Sequence, residues 1–285
     1  MEIFSSTRDF QKYLHSKRTS DNTIGFVPTM GALHDGHTSL IDASVKQQKI
    51  TAVSIFINPL QFAPDEDFEK YPKSFEQDVE ICKGHGVDVL FSPTQKDIFP
   101  YGLPEPMEIG PIGKIFEGKS RPSHFQGVAT VVSRLFEIVG EVSAYFGEKD
   151  FQQLVVVDDL VKRHQFPVKV IHCPTVRDDN GLALSSRNVY LSGEQLIDAS
   201  VLYNALCAGA DLISNGEKES ENLIDFIKGV VADKSEGELD YVGIVDSETF
   251  NPLNSLDFSG KHVRILIACC FGSTRLIDNI GVVVP

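Results

Sequence analysis

The stretch Val27-Pro28-Thr29-Met30-Gly31-Ala32-Leu33-His34-Asp35-Gly36-His37 follows a short apolar run, Thr23 to Val27. It leads into a segment with Leu40, Ile41 and Val45 at helical spacing. The run reads as a buried strand and the segment as a helix opening near Gly36. A strand that turns directly into a helix is the repeating unit of parallel α/β sheets. Working outward, the alternation recurs. Thr7 is placed to cap a helix carrying Phe10, Tyr13 and Leu14 on one face. Ile50 to Ile57 reads as a second strand, Asn58 to Tyr71 as a loop, Ser74 as the cap of a helix stopping at Gly84, and Val87 to Phe91 as a third strand. Ser92 to Gln126 holds six prolines and therefore reads as a long irregular excursion. Gly127 to Val139 is helical, Ser143 to Phe146 a strand, Lys149 to His164 a helix and Val168 to His172 a strand.

This pattern predicts an α/β protein with a Rossmann-like parallel-sheet domain over residues 1–176. Ligands of such sheets bind at the carboxyl ends of the strands. After Arg177 the order changes. Helical stretches near Glu194 to Ser214 and Asn222 to Lys234 precede strand-like segments at Asp240 to Val245 and Val263 to Ala268. Helices followed by strands suggest a smaller α+β domain over 177–285, acting as a lid. The turn-rich Arg177-Asp178-Asp179-Asn180-Gly181 is the expected hinge.

Composition narrows the function. With 42% hydrophobic and 23% charged residues the chain is no disordered segment, and its 285 residues suit two domains. No unbroken apolar run reaches the ~18 residues of a membrane span. The charged N-terminus argues against export, so a cytoplasmic protein is expected. Lys and Arg number 26 against 40 Asp and Glu, a net charge of −14, which disfavours nucleic acid and anionic membranes as partners. An anionic substrate would need local cations or helix N-termini. The five cysteines form no C-x-x-C, so a reducing compartment fits better than a disulfide framework or a zinc site, and Cys269-Cys270 reads as core.

Four segments can carry chemistry. His34 and His37 fall on one side of a first helical turn, where free N–H groups and the positive dipole end suit phosphate. Imidazoles there can donate hydrogen bonds or protonate a leaving group, and Gly31 and Gly36 allow close backbone approach. A zinc pair would usually sit four apart and need a third ligand. In Phe146-Gly147-Glu148-Lys149-Asp150-Phe151-Gln152-Gln153, Lys149 is a phosphate cation, Asp150 an acceptor for a ribose hydroxyl, and Gln153 lies one helical turn beyond Lys149. Leu184-Ser185-Ser186-Arg187-Asn188 is a hydroxyl-rich turn with a guanidinium suited to phosphate. Asn58 and Gln61 end the second strand with amides able to orient a carboxylate or hydroxyl.

VPTMGALHDGH (27–37), FINPLQF (56–62), SRPSHFQGVATVV (120–132), YFGEKDFQQL (145–154), LSSRN (184–188) and FGSTRLIDN (271–279) together resemble the pantothenate synthetase family, within the H-x-G-H nucleotidyltransferase superfamily. The resemblance implies an ATP-dependent, AMP-forming ligase that condenses (R)-pantoate with β-alanine through a pantoyl adenylate and releases pyrophosphate. It implies ATP with Mg²⁺ and a homodimer, and no residue of this chain is assigned as a metal ligand. Matched by position, it assigns ATP to Met30, Gly31, Ala32, Leu33, His34, Asp35, Gly36 and His37, to Gly147, Glu148, Lys149 and Asp150, to Val176, and to Leu184, Ser185, Ser186 and Arg187. Pantoate falls to Gln61, Gln153 and Asn58, and β-alanine to Gln61. His37, as proton donor, and His34, Lys149 and Arg187 are the implied catalytic set. Leu184 stands where the family often has Met. Two other readings remain open at this stage: an H-x-G-H enzyme that stops after nucleotide transfer, and a non-catalytic nucleotide sensor. Arg121 and His124 either touch substrate or shape the excursion.

Overall fold

The computed structural model describes residues 1–19, 23–64 and 66–285; Asp65, inside the expected loop at 58–71, lies outside them. The chain divides into two compact units. The first comprises Met1–Lys114, Arg121–Glu148 and Gln153–Pro174, the second Ile115–Ser120, Lys149–Gln152 and Thr175–Pro285.

The elements of the first unit, in chain order, open with β1 (Glu2–Phe4), α1 (Thr7–Lys17), β2 (Ile24–Thr29), α2 (Asp35–Gln47) and β3 (Ile50–Ile55). There follow α3 (Phe75–Gly84), β4 (Val89–Phe91) and α4 (Gln95–Ile98). After α5 (Glu117–Ser120), which belongs to the second unit, come α6 (His124–Val139), β5 (Val142–Gly147), α7 (Phe151–His164) and β6 (Val168–Cys173). The six strands form one parallel sheet in the order β1-β4-β3-β2-β5-β6. From β2 the chain runs outward through β3 and β4, then returns to place β5 on the other side of β2. That reversal is the switch point where such sheets bind ligands. The carboxyl ends of β2 and β5 lead into the two segments 30–37 and 147–153.

Several local readings shift. The cap of α1 is Ser6, whose hydroxyl accepts from the Asp9 N–H at 3.3 Å, while Thr7 Oγ1 donates to the Asp97 carbonyl at 2.6 Å. Three-residue β1 is too short to show a period and was not expected. Strand β2 continues through Pro28 instead of ending there. Thr23 and Thr29 both offer carbonyls to the β3 side, so Pro28 turns its nitrogen toward β5, where pairing ends at Phe26. Val45 is 41% exposed, and α2 buries Leu40, Ile41 and Ser44 instead. The helix lies so close to β2 that a Cβ on Gly25 would meet Ser44 Oγ at 2.0 Å. The excursion at 92–126 is not wholly irregular, since it contains α4, α5, a 3₁₀ turn at Pro111–Lys114 and the start of α6.

The second unit contains α8 (Gly193–Ala199), α9 (Val201–Ser214), α10 (Ser220–Lys234), β7 (Glu238–Asp246), β8 (His262–Phe271) and β9 (Thr274–Val283). The strands form an antiparallel sheet in the order β7-β8-β9, and β9, unforeseen as a strand, completes it. Leu202, Leu206 and Ile213 of α9 pack with Leu223 and Ile227 of α10 and Ile265 and Ile267 of β8 in one core. Among the described residues, Gly193–Ser214 is long and apolar enough to cross a membrane by length and composition alone. It is two helices broken at Ser200, with the α9 face committed to this core. Cys269 is fully buried there, and burial pushes its thiol up to about 12, so it behaves as an inert core residue; Cys270 is half-buried.

Two short segments from earlier in the chain cluster with the second unit. In α5, Glu117 accepts from Arg275 at 2.8 Å and from Tyr241 at 3.3 Å, and its N–H donates to Gln152 at 3.1 Å. The expected hinge at 177–181 is a closed hairpin. Arg177 bridges to Ala183, Asp178 accepts from the N–H groups of Asn180 and Leu182 at 2.9 Å each, and Arg177 donates to Asp278 at 2.9 Å.

Candidate active site

The turn after β2 is built by backbone bonds. Thr29 Oγ1 donates to the Ser54 carbonyl at 2.8 Å and accepts from the Gly31 N–H at 3.2 Å. Gly31 (φ +85°) and Ala32 (φ +52°) both occupy the left-handed region, which is strained for alanine. Asp78 of α3, 1% exposed, holds them there: its carboxylate accepts from the N–H groups of Ala32 and Leu33 at 2.9 Å each, and from Ser74 Oγ at 3.1 Å. Ser74 thus spends its hydroxyl on Asp78 and makes no side-chain cap bond at α3.

His34 is the N-cap of α2 and His37 its third residue. His34 Nδ1 accepts from the Gly36 N–H at 3.1 Å, and His37 Nδ1 accepts from the His34 N–H at 3.3 Å. The rings lie 4.1 Å apart. A nitrogen that accepts carries no proton, so each neutral ring has its hydrogen on Nε2. The pair places an Nε2–H on each ring at a helix start, whose positive dipole end suits phosphate oxygens. Protonating either Nδ1 would break a cap.

The amides after β3 form a second cluster. Asn58, 3% exposed, uses its whole side chain on the protein: Oδ1 accepts from the Leu60 N–H at 3.0 Å, and Nδ2 donates to Gln61 Oε1 at 2.9 Å and to the Gly127 carbonyl at 3.1 Å. Asn58 thereby fixes Gln61 Oε1 as an acceptor within the protein. Its main-chain carbonyl accepts from Arg121 at 3.2 Å and from His124 Nδ1 at 3.0 Å, and Arg121 forks onto Glu66 through two bonds of 2.7 Å. Burial opposes the Glu66 charge, but the bond and charge of Arg121 prevail and hold its carboxyl below the ordinary range. Arg121 and His124 therefore shape the turn that carries Gln61. Gly127 on α6 is required by close approach, because a Cβ there would meet the Leu60 carbonyl oxygen at 2.1 Å.

The remaining cations belong to the second unit. Lys149 lies in a 3₁₀ turn, Glu148–Asp150, before α7 opens at Phe151, so Lys149 and Gln153 are not successive turns of one α-helix as the spacing suggested. Lys149 Nζ is 3.7 Å from Asp150 Oδ1, and its carbonyl accepts from Asn279 Nδ2 at 2.8 Å. Leu184 N–H donates to the Val176 carbonyl at 3.0 Å, closing the hairpin that presents Ser185, Ser186 and Arg187. Ser185 Oγ caps the following 3₁₀ turn by accepting from the Arg187 N–H at 3.2 Å.

Met30 to His37, Asn58, Gln61, Gly147, Glu148 and Gln153 thus belong to the first unit, and Lys149, Asp150, Val176 and 184–187 to the second. Sequence reasoning gave no role to Asp78 or Glu66, nor to Asn279 within the quoted run at 271–279. Asp78 reads locally as a first-turn acid answering the helix dipole, and nothing near it in sequence points to residues 32 and 33.

A parallel sheet with a histidine-capped helix at its switch point defines the Rossmann-like α/β class, here joined to a small antiparallel-sheet unit. The family model described as Pantoate-beta-alanine ligase matches residues 2–281. The pantothenate synthetase of Caldicellulosiruptor saccharolyticus is 43% identical over 99% of both chains. The crystal structure of pantothenate synthetase from Thermus thermophilus is 41% identical, with a TM-score of 0.90 over 98% of this chain and 99% of that one. A pantoate-beta-alanine ligase from Francisella tularensis, complexed with beta-gamma ATP and beta-alanine, is 36% identical, with a TM-score of 0.78 over 98% of this chain and 97% of that one. The chain belongs to the pantoate-beta-alanine ligase family.

Proposed function

We propose that this enzyme condenses (R)-pantoate with β-alanine at the expense of ATP. A pantoate carboxylate oxygen attacks the α-phosphorus, the bond to the β-phosphate oxygen breaks, and pyrophosphate leaves with the electron pair. The β-alanine nitrogen then attacks the acyl carbon of the pantoyl adenylate, the acyl–oxygen bond breaks, AMP leaves, and the amine sheds a proton. The observation that carries this reading is the His34–His37 pair at the start of α2, in a chain of this family.

The first step gathers negative charge on the α-phosphate and the departing pyrophosphate. Preorganised donors that meet such charge as it forms supply the largest catalytic effect. We assign that work to His34, His37, Lys149 and Arg187, with the backbone of 30–37 and 147–150 and the turn at 184–187 completing the ATP contacts. Since both Nδ1 atoms serve as caps, His37 acts as a neutral Nε2–H donor, a narrower role than the proton donor the resemblance implied. Asp150 accepts from the ribose, and Val176 and Leu184 offer apolar contact to the base. Gln61 and Gln153 orient pantoate. Asn58 fixes which end of the Gln61 amide is presented, and the same Gln61 serves β-alanine. Mg²⁺ would accompany the nucleotide phosphates as their counter-ion. A cytoplasmic homodimer completes the proposal.

The test supplies ATP and pantoate with and without β-alanine. Pantoate-dependent exchange of pyrophosphate into ATP without the amine, and stoichiometric AMP and pantothenate with it, are expected. AMP release indifferent to both pantoate and β-alanine would remove the ligase reading.

A further inference from the structure

The C-terminal Arg275-Leu276-Ile277-Asp278-Asn279 run takes no part in the chemistry above, yet it contains two of the most enclosed polar side chains of the second unit. Asn279 is 3% exposed and Asp278 4%. Asn279 Nδ2 donates to the Lys149 carbonyl at 2.8 Å, and its Oδ1 accepts from Arg264 of β8 at 2.7 Å. The Arg264 guanidinium also lies 4.0 Å from the ring centroid of Phe151, two residues beyond Lys149. The main chain that carries Lys149 is therefore held at two points, its own carbonyl and the ring after it. Next door, Asp278 accepts from both ends of the Arg177 guanidinium and from the Asn279 N–H at 2.7 Å. Arg177 bridges to Ala183, directly before Leu184–Arg187.

We infer that Asn279, oriented by Arg264, is a positioning residue for Lys149, and that Asp278, through Arg177, does the same for the loop bearing Arg187. Neither side chain touches substrate. Each converts a rigid strand into a fixed origin for a long cationic side chain, which would otherwise wander by more than catalysis tolerates. The inference rests on the ligase reading, which is what gives Lys149 and Arg187 their work.

Asn279→Asp is the discriminating variant. It keeps an oxygen for Arg264 but sets an acceptor against the Lys149 carbonyl, where a donor stood. Pantoate-dependent ATP–pyrophosphate exchange should fall about 10- to 100-fold, the loss expected when a charged group is displaced by ~1 Å. The KM for β-alanine should change by less than about two-fold, because that substrate enters after the adenylate. In a Lys149→Ala background the same substitution should cost less than about two-fold, since the residue it positions is gone. Arg264→Lys, which keeps the charge but loses the fork and the stack, should repeat the pattern at smaller size. Equal losses with and without Lys149, or unchanged exchange in Asn279→Asp, would overturn the inference while leaving an active ligase. Absence of exchange in the unaltered enzyme would remove the ligase reading, and this inference with it.

Discussion

The two units hold the residues proposed to meet ATP in opposite ways. In the first, His34 and His37 are seated by bonds to backbone two and three residues away, and the turn before them needs one distant carboxylate, Asp78. In the second, Lys149 and the Arg187 loop depend on partners 130 and 101 positions distant, Asn279 holding Lys149 and Asp278 holding Arg177. A short imidazole on a helix cap has little freedom to lose, so local bonds suffice. A lysine or arginine has several rotatable bonds, and its root must be pinned by the fold. Local seating survives in the sequence as a motif, whereas distant seating does not.

The largest expected effect breaks the local half. His37→Ala removes one preorganised donor and should lower turnover about 10²- to 10³-fold, read as pantothenate formed per second. His37→Gln, which can still present an N–H, should recover part of the loss. Near-full activity in His37→Ala would remove the donor role. Next is Gly127→Ala, which drives a Cβ into the Leu60 carbonyl from 2.1 Å. Backbone must move, so a loss of about 3 kcal/mol in urea unfolding, with a raised pantoate KM, is expected. A variant as stable as the parent would show that the 59–61 turn is not rigid.

Asp78→Asn tests whether the histidine turn leans on its one distant partner. An amide can serve one of the two N–H groups and must turn its own donors toward the other. A cost of about 1–3 kcal/mol is expected, with a rise in the KM for ATP larger than that for β-alanine. Equal rises would break the comparison, since Asp78 would then act on the whole unit.

The pH prediction concerns the turn that carries Gln61. Glu66 is held below the ordinary Glu range, so between that range and its lowered value the unfolded chain binds more protons than the folded one. The stability it contributes is full above the ordinary value and is lost as pH falls through the lowered one. Glu66→Gln should flatten that part of the acid limb of thermal stability, and an unchanged limb would assign it to other carboxylates. The smallest effect is a control: Val45→Thr on the exposed face of α2 should stay within about 0.5 kcal/mol in the same unfolding measurement.

The alternation of strands and helices and the segments at 27–37, 56–62, 145–154 and 184–188 were legible because each rests on short-range periodicity or on turn chemistry, whereas the switch at β2 is a matter of strand order that only the sheet shows. Misread boundaries have local reasons that only neighbours reveal. Pro28 survives in a strand because its nitrogen faces a side where pairing has ended, and Val45, at helical spacing with Leu40 and Ile41, is turned outward. The 177–181 turn reads as a hinge from its composition alone, and only the fold shows Arg177 paired with the buried Asp278.

From the chain alone came the class of fold, the family, and the residue types able to meet phosphate and carboxylate, since these follow from spacing and side-chain chemistry. Only the folded molecule decided that the Nδ1 atoms of both histidines cap the start of α2, that Asn58 bonds Gln61, and that a C-terminal strand holds the Lys149 carbonyl. Those facts depend on which groups meet across tens of residues, and a hydrogen bond carries no trace of itself in the sequence between its ends.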